Sequence, residues 1–289
     1  MLPHVTAQMP QQTLVATAHA VWTSSGPYRI DPRTNSAAGP FTRGVWQNLA
    51  LAEGSLWVTD FDRDVVRRLD PSTGRLRAVV RLPPGSSPAG LAGAAGAVWV
   101  AAEHGGTLLR IDTATNRVAG TLVLTRLGTG GPRNVAAGLG SVWVDAPSAN
   151  AVFRIDPRTR RIEAIVRFPA GMSPCGSIAI APKAVWVGGC FQGSAVGRID
   201  PARNRVVAVL EVAGETAQLR TVGNSVWFVA SANPDLGPIS YLIRLRLDNR
   251  VAARYELPPQ FVAGGLAFAF GSIWLADISH PRVIRVPFS

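Results

Sequence analysis

The sequence predicts an all-β chain: a seven-bladed β-propeller of four-stranded antiparallel blades, with the ring closed by the N-terminal strand joining the last blade. Three observations carry this. An apolar-Trp-apolar pattern recurs at Trp22, Trp57, Trp99, Trp143, Trp186, Trp227 and Trp274, with a period of about 42 residues. Behind each Trp comes a second pattern, "RIDP" at Arg29, "RLDP" at Arg68, "RIDT" at Arg110 and "RIDP" at Arg154 and Arg198, decaying to "RLRL" at Arg244 and "RVPF" at Arg285. The seventh copy stops after its third strand, while residues 3–8 at the other end alternate as a strand does.

Each copy contains four strands. In the fourth they are "RNVAAG", "SVWVDA", "AVFRID" and "RIEAIVRF". These runs are rich in β-branched residues and bounded by Gly, Pro, Asn and Ser. Asp-Pro-x-Thr between the third and fourth strands is turn chemistry, since Asp accepts from nearby backbone N–H groups and Pro presets the next φ. The blades fall at about 11–41, 44–82, 88–125, 132–168, 174–212 and 217–257, and the last joins 262–288 to 3–8. A three-stranded final blade would leave a long edge, which the N-terminal strand covers. One four-stranded sheet cannot bury both faces, so the stacked copies are expected to form one domain.

The chain has 289 residues, 47% of them hydrophobic, and a net charge of +11. Lys183 is its only lysine, so 28 of the 29 basic residues are arginine, a skew typical of GC-rich coding. Many of these arginines belong to the repeat and are therefore spread around the ring. A nucleic-acid footprint needs a patch or stripe with stacking aromatics, so nucleic acid is disfavoured as a partner. The opening "MLPHVTAQMPQQ" has no signal-peptide pattern, and Phe261–Ala276, the longest uncharged stretch without Pro, is too short and too rich in Gly to span a membrane. An extracytoplasmic monomer, its signal not present in this chain, is the expectation.

The frame P-x-G-[IL]-A-x-G-x-G-[SA]-V-W-V … R-I-D-P-x-T-x-R resembles that of the virginiamycin B lyase-like and YVTN-repeat propellers over nearly the whole chain. The resemblance implies a magnesium-dependent lyase that opens a macrocyclic ester by elimination, with His just after the Pro that begins an inner strand. Ala89, Arg133 and Cys175 stand in that place here, and the acid of the resemblance is matched only loosely by Asp60 and Asp277. The function expected is therefore a non-catalytic scaffold that binds an unknown small molecule or protein at one mouth of the ring. Magnesium is expected only under the lyase alternative; some YVTN-type propellers suggest DNA binding as a second alternative.

The recurring Trp residues read as core wedged between blades, and the repeated Arg and Asp as strand ends and turn caps. Candidate ligand contacts are Gln47, Asn48, Arg133, Asn134, Gln218 and Arg220, which replace small residues where inner strands meet the channel mouth. Asp60, Glu103, His104, Asp145, Asp277 and His280 lie in loops after second strands; an enzyme would need a carboxylate and a base from this set to converge. The divergent loops "GGCFQGSAV" and "ASANPDLGPISY" complete the default site. The only cysteines, Cys175 and Cys190, flank a hairpin centred on "APK" and by its register should face each other, a geometry for a disulfide; two buried free thiols are the alternative.

Overall fold

The computed structural model describes residues 4–6, 13–24, 26–42, 48–128, 130–190, 195–212, 215–232, 239–280 and 282–288. They form seven four-stranded sheets. In six, consecutive strands run in chain order from the channel outward, as in Leu49–Ala52, Ser55–Asp60, Val65–Leu69 and Leu76–Arg81 of the second blade. The seventh combines Ala263–Ala269, Ser272–Asp277 and Arg282–Pro287 with His4–Thr6, which pairs antiparallel to Arg282–Ile284 as the outermost strand.

Every repeat Trp is buried, at most 3% exposed, and every one packs against the blade that follows. Trp57 meets Leu91, Val98 and Val100 of the third blade. Trp186 meets Val226 and Phe228 of the sixth. Trp274 meets Leu14, Val21 and Ile30 of the first, which completes the ring of hydrophobic interfaces. Each large ring removes some 150–250 Å² from water, about 4–6 kcal/mol at about 25 cal/mol per Å². These wedges make the dominant contribution to blade stacking.

The repeat Arg does more than end a strand. It stands directly opposite the repeat Trp in all seven blades, from Trp22↔Arg29 to Trp274↔Arg285. In five its guanidinium lies over the Trp ring, 4.9 Å from the centroid for Arg285 and 5.1 Å for Arg68. From there it reaches the turn of the next blade. Arg68 donates from Nη1 to the Thr113 carbonyl (2.7 Å) and Asn116 Oδ1 (3.0 Å), and Arg154 to the Pro201 carbonyl (2.7 Å) and Asn204 Oδ1 (2.9 Å). Arg285 reaches Pro32 and Asn35 of the first blade across the closure. The repeat Asp residues are turn caps: Asp112 Oδ1 accepts from the N–H of Ala114 and Thr115, and Asp156 Oδ1 from Arg158 and Thr159. Those bonds, the Thr115 N–H first for Asp112 and the Arg158 N–H first for Asp156, hold both carboxyls below the usual carboxylate range.

In four blades the hairpin turn before the Trp supplies the partner of its indole N–H, whereas Trp22 Nε1 donates to the Pro71 carbonyl of the next blade (3.0 Å). Glu53–Gly54, Ala95–Gly96, Leu139–Gly140 and Phe270–Gly271 all have positive φ at both positions, the type I′ turn. In those four blades the indole Nε1 donates to the carbonyl just before the turn, at 3.0 Å for Trp57, 3.3 Å for Trp99, 3.2 Å for Trp143 and 3.1 Å for Trp274. The fifth blade turns through Pro182–Lys183, and Pro cannot adopt positive φ. Trp186 Nε1 is buried without a partner.

The same blade corrects the cysteine register. Cys190 stands opposite Ser173, not Cys175, and Pro174 opposite Gly189, because a bulge between Pro174 and Ile178 adds residues to the inner strand. Cys175 is 7% exposed. The Cys190 side chain lies outside the described residues.

Candidate functional site

The seven inner strands converge on an axial cavity of about 710 Å³, lined by residues of every blade, among them Thr13, Asn48, Asn134, Ser177, Gln218 and Arg220. Its wall is stitched from strand to strand. Thr13 Oγ1 donates to Asn48 Oδ1 (2.9 Å) between the first two blades. Gly90 N–H donates to the Arg133 carbonyl (2.6 Å) between the third and fourth; a Cβ on Gly90 would lie 2.5 Å from that oxygen, so this approach requires glycine. Asn134 Nδ2 donates to the Cys175 carbonyl (3.1 Å), and Leu219 N–H to Ser177 Oγ (2.7 Å). Gln218 Oε1 accepts from Leu266 N–H (2.9 Å) of the seventh blade and Leu14 N–H (3.5 Å) of the first. Gln218 holds a φ of 36° to do so, at the bulge between Ala217 and Arg220.

The side-chain oxygens of Asn48 and Gln218 and the NH2 group of Asn134 are therefore engaged by neighbouring blades. Gln47 lies outside the described residues, as do 191–194 and 233–238 in the two divergent loops. The sequence did not single out Ser177 or Thr13, because a lone hydroxyl carries no signal of which blade its side chain will reach.

The mouth carboxylates are engaged one by one. Asp60 is fully buried; its Oδ2 accepts from Arg67 Nη1 (2.7 Å) and Arg63 Nη1 (3.2 Å), while Oδ1 is buried with no partner. Asp277, also fully buried, accepts at Oδ1 from the N–H groups of Ser279 (3.0 Å), Val262 (3.3 Å) and His280 (3.3 Å). Its Oδ2 meets Arg282 Nε at 2.9 Å and His280 Nδ1 at 3.1 Å. Glu103 Oε2 lies 3.4 Å from Arg133 Nε. His104 Nδ1 lies 3.1 Å from Ser87 Oγ, with its ring edge-on to Phe61.

Asp145 repeats a contact made in two other blades; the remaining four have Ala101, Gly188, Val229 and Ala276 at that position. Where two residues follow the Trp, Ser24 Oγ accepts Thr13 N–H (2.9 Å) and Thr59 Oγ1 accepts Asn48 N–H (2.9 Å). Asp145 Oδ1 accepts Asn134 N–H (2.7 Å) in the same way, and Oδ2 also accepts Asn134 Nδ2 (2.7 Å). The job in those two blades is done by a neutral hydroxyl, so here a carboxyl is fully buried. Burial pushes it up to about 7, against the pull of the Asn134 bonds.

The structure thus brings together Glu103 with Arg133, Asn134 with Asp145, Gln218 with Arg220, and Asp277 with His280. Among the described residues no hydrogen bond or ion pair links Glu103 or His104 to Asp60, Asp145, Asp277 or His280. Nor does any group of three or more His, Cys, Asp or Glu residues gather as a metal site there. With Asp60 and Asp277 taken by arginines and Asp145 by an amide, this donor set does not fit the magnesium ion that the sequence resemblance implied.

The same ring of blades occurs in solved structures. The chain superimposes on virginiamycin B lyase of Staphylococcus aureus with a TM-score of 0.80 at 18% identity, covering 100% of this chain and 99% of that one. The fold is that of the virginiamycin B lyases. A streptogramin B lyase structure matches with a TM-score of 0.81 at 18% identity over 98% of this chain and 96% of that one. A chain of the mitotic checkpoint complex matches with a TM-score of 0.80 at 11% identity over 99% and 94%. At these identities the likeness is one of fold, and the neighbours include both lyases and a component of a protein assembly. No family model matches the chain, and no curated protein does. Among the described residues no helix is long and apolar enough to cross a membrane.

Proposed function

We propose that this chain is a non-catalytic propeller that binds a small molecule or a protein partner at one mouth of the ring. One observation carries this reading: the buried mouth acids Asp60, Asp145 and Asp277 are each already engaged by arginines, an amide or backbone N–H groups, and the one base that meets any of them, His280, lies three residues from Asp277, a carboxylate that also holds Arg282 and three backbone N–H groups. General acid–base chemistry needs two such groups converging on one reacting position. The axial cavity, by contrast, has the size of a small-molecule site. The test is a thermal-shift screen across divalent metals, sugars, peptides and macrolactones, because a ligand selective for the folded state raises the melting temperature. A macrolactone opened by the protein with magnesium present would overturn the reading in favour of a lyase.

The cysteines and the compartment belong to the same proposal. A bulge re-aims side chains at its site, which gives Cys175 a route to Cys190 although the register sets it two residues away. A bridge there fits a monomer working in an oxidising, extracytoplasmic compartment. Intact mass after thiol alkylation without reductant tests it: no alkyl adduct is expected, and two adducts would refute the bridge.

A further inference from the structure

Among the described residues Arg220 is the only formally charged one in the wall of the axial cavity, and no Asp or Glu lines it. Its guanidinium donates from Nη1 to the Leu219 carbonyl (3.0 Å) and from Nη2 to the Leu14 carbonyl (3.2 Å) and Gln218 Oε1 (3.1 Å). All three acceptors are neutral, and among the described residues no carboxylate pairs with it. Three bonds also leave part of its five-donor set unused. The repeat arginines differ, since five lie over Trp rings and Arg68, Arg154 and Arg285 clasp the next blade. Around Arg220 the wall is mixed: Thr13, Asn48, Asn134, Ser177 and Gln218 are polar, while Val15, Leu51, Val135 and Phe268, which are not buried in the blade cores, supply apolar surface from four blades.

An uncompensated cation in a part-buried wall is costly unless an anion meets it. Burial draws the Arg220 guanidinium down to about 10, still charged at neutral pH. We infer that the axial channel binds a small amphiphilic oxyanion, its acidic head on Arg220 and its apolar body against Val15, Leu51, Val135 and Phe268. The inference rests on the mouth-binding reading above and assigns it a ligand class. A volume near 710 Å³ suits a molecule of drug size.

The experiment titrates the whole protein with octanoate, octyl phosphate and the neutral octanamide, reading melting temperature and calorimetric affinity. Saturable one-site binding of octanoate, octyl phosphate or both is expected, with octanamide at least about 10-fold weaker, the discrimination a charge-assisted bond supplies. Which acid binds more tightly separates a carboxylate from a phosphate head. Arg220→Gln should remove the preference for the acids, while Arg81→Gln on an exposed outer strand should leave it intact. Arg220→Lys keeps a cation but loses the planar donor fork, so it should retain the preference for the acids at several-fold lower affinity. Should Arg220→Gln fail to fold, the acid-against-amide comparison in the native protein and the Arg220→Lys pattern decide the matter. Equal binding of octanamide and octanoate, or acid binding indifferent to both channel substitutions, overturns the inference. Neutral hits in the wider screen that ignore Arg220 would sink this ligand class and leave mouth binding standing; no ligand-dependent shift of any kind would sink both.

Discussion

The repeat contains its own control for the energy of one buried hydrogen bond. Two residues before the Trp, Ser55, Ser141, Ser225 and Ser272 each present Oγ to the Nε–H of the repeat Arg at 2.9 Å. The first, third and fifth blades have Ala20, Ala97 and Ala184 at that position, and Arg29 Nε and Arg198 Nε are buried with no acceptor. Ala184→Ser should therefore supply the missing acceptor, in a frame that already holds serine four times over. A hydrogen bond to a charged donor contributes about 1.5–3 kcal/mol net, less the cost of burying the new hydroxyl, so a gain of about 1–2 kcal/mol is expected. At about 2–4 °C per kcal/mol for a chain of this size class, the melting temperature should rise by about 2–8 °C. Ser225→Ala is the mirror experiment, since it strips Arg244 Nε of its acceptor and should cost about 1–3 kcal/mol. Urea and thermal unfolding of the two variants against the parent provide the assay. If Ala184→Ser is neutral or destabilising while Ser225→Ala is also neutral, the Ser–Arg bond is energetically irrelevant and the clamp argument fails.

Three further outcomes follow from the geometry. The Asp145 carboxyl titrates near 7 when folded against an ordinary 3.8, so the folded state holds the extra proton between those values; stability is fullest near pH 4, falls by a few kcal/mol as pH rises through 7, and is flat above. Asp145→Thr, which installs the hydroxyl that Thr59 uses in the second blade, should flatten that slope, and urea midpoints at pH 5 and 8 would show it. Asp277→Ala leaves Arg282 and three backbone N–H groups without their acceptor and should cost about 3 kcal/mol or more, read as a lowered urea midpoint. Replacing Pro182–Lys183 by Asn-Gly permits the type I′ turn of four other blades and should stabilise by about 1 kcal/mol, with a shift in Trp fluorescence as the Trp186 indole N–H finds a partner.

The architecture was legible because a repeat states the same solution seven times. The Trp spacing encodes the blade interface, and the unpaired seventh copy encodes the N-terminal strand, His4–Thr6, that completes it. What the repeat could not show was anything that depends on the next blade. The repeat Arg reads as a strand end within its own blade; only the curvature of the ring brings the Thr113 or Pro201 carbonyl within its reach. The cysteine register failed for a local reason. The bulge between Pro174 and Ile178 moves every pairing on the far side of it, and its Pro-x-Gly stretch, bulged again at Pro88–Leu91, was its only mark in the sequence.

The polar residues of the inner strands show most clearly where the pattern stops being informative. Asn48, Asn134, Gln218 and Arg220 look alike in sequence, each a polar side chain where the frame has a small one. A strand's period of two cannot say whether such a side chain faces the channel or the neighbouring blade, because both lie at the inner edge of the sheet. The structure separates them by hydrogen-bond arithmetic. The Asn134 NH2 group donates to Asp145 and the Cys175 carbonyl, and Gln218 Oε1 accepts from two backbone N–H groups and Arg220, so each neutral amide already serves the ring. A guanidinium has donors only and a charge that carbonyls cannot cancel. The residues that depart from the repeat thus divide into those the propeller itself requires and one, Arg220, whose charge the propeller does not use up, and that remainder is what points outward to a ligand.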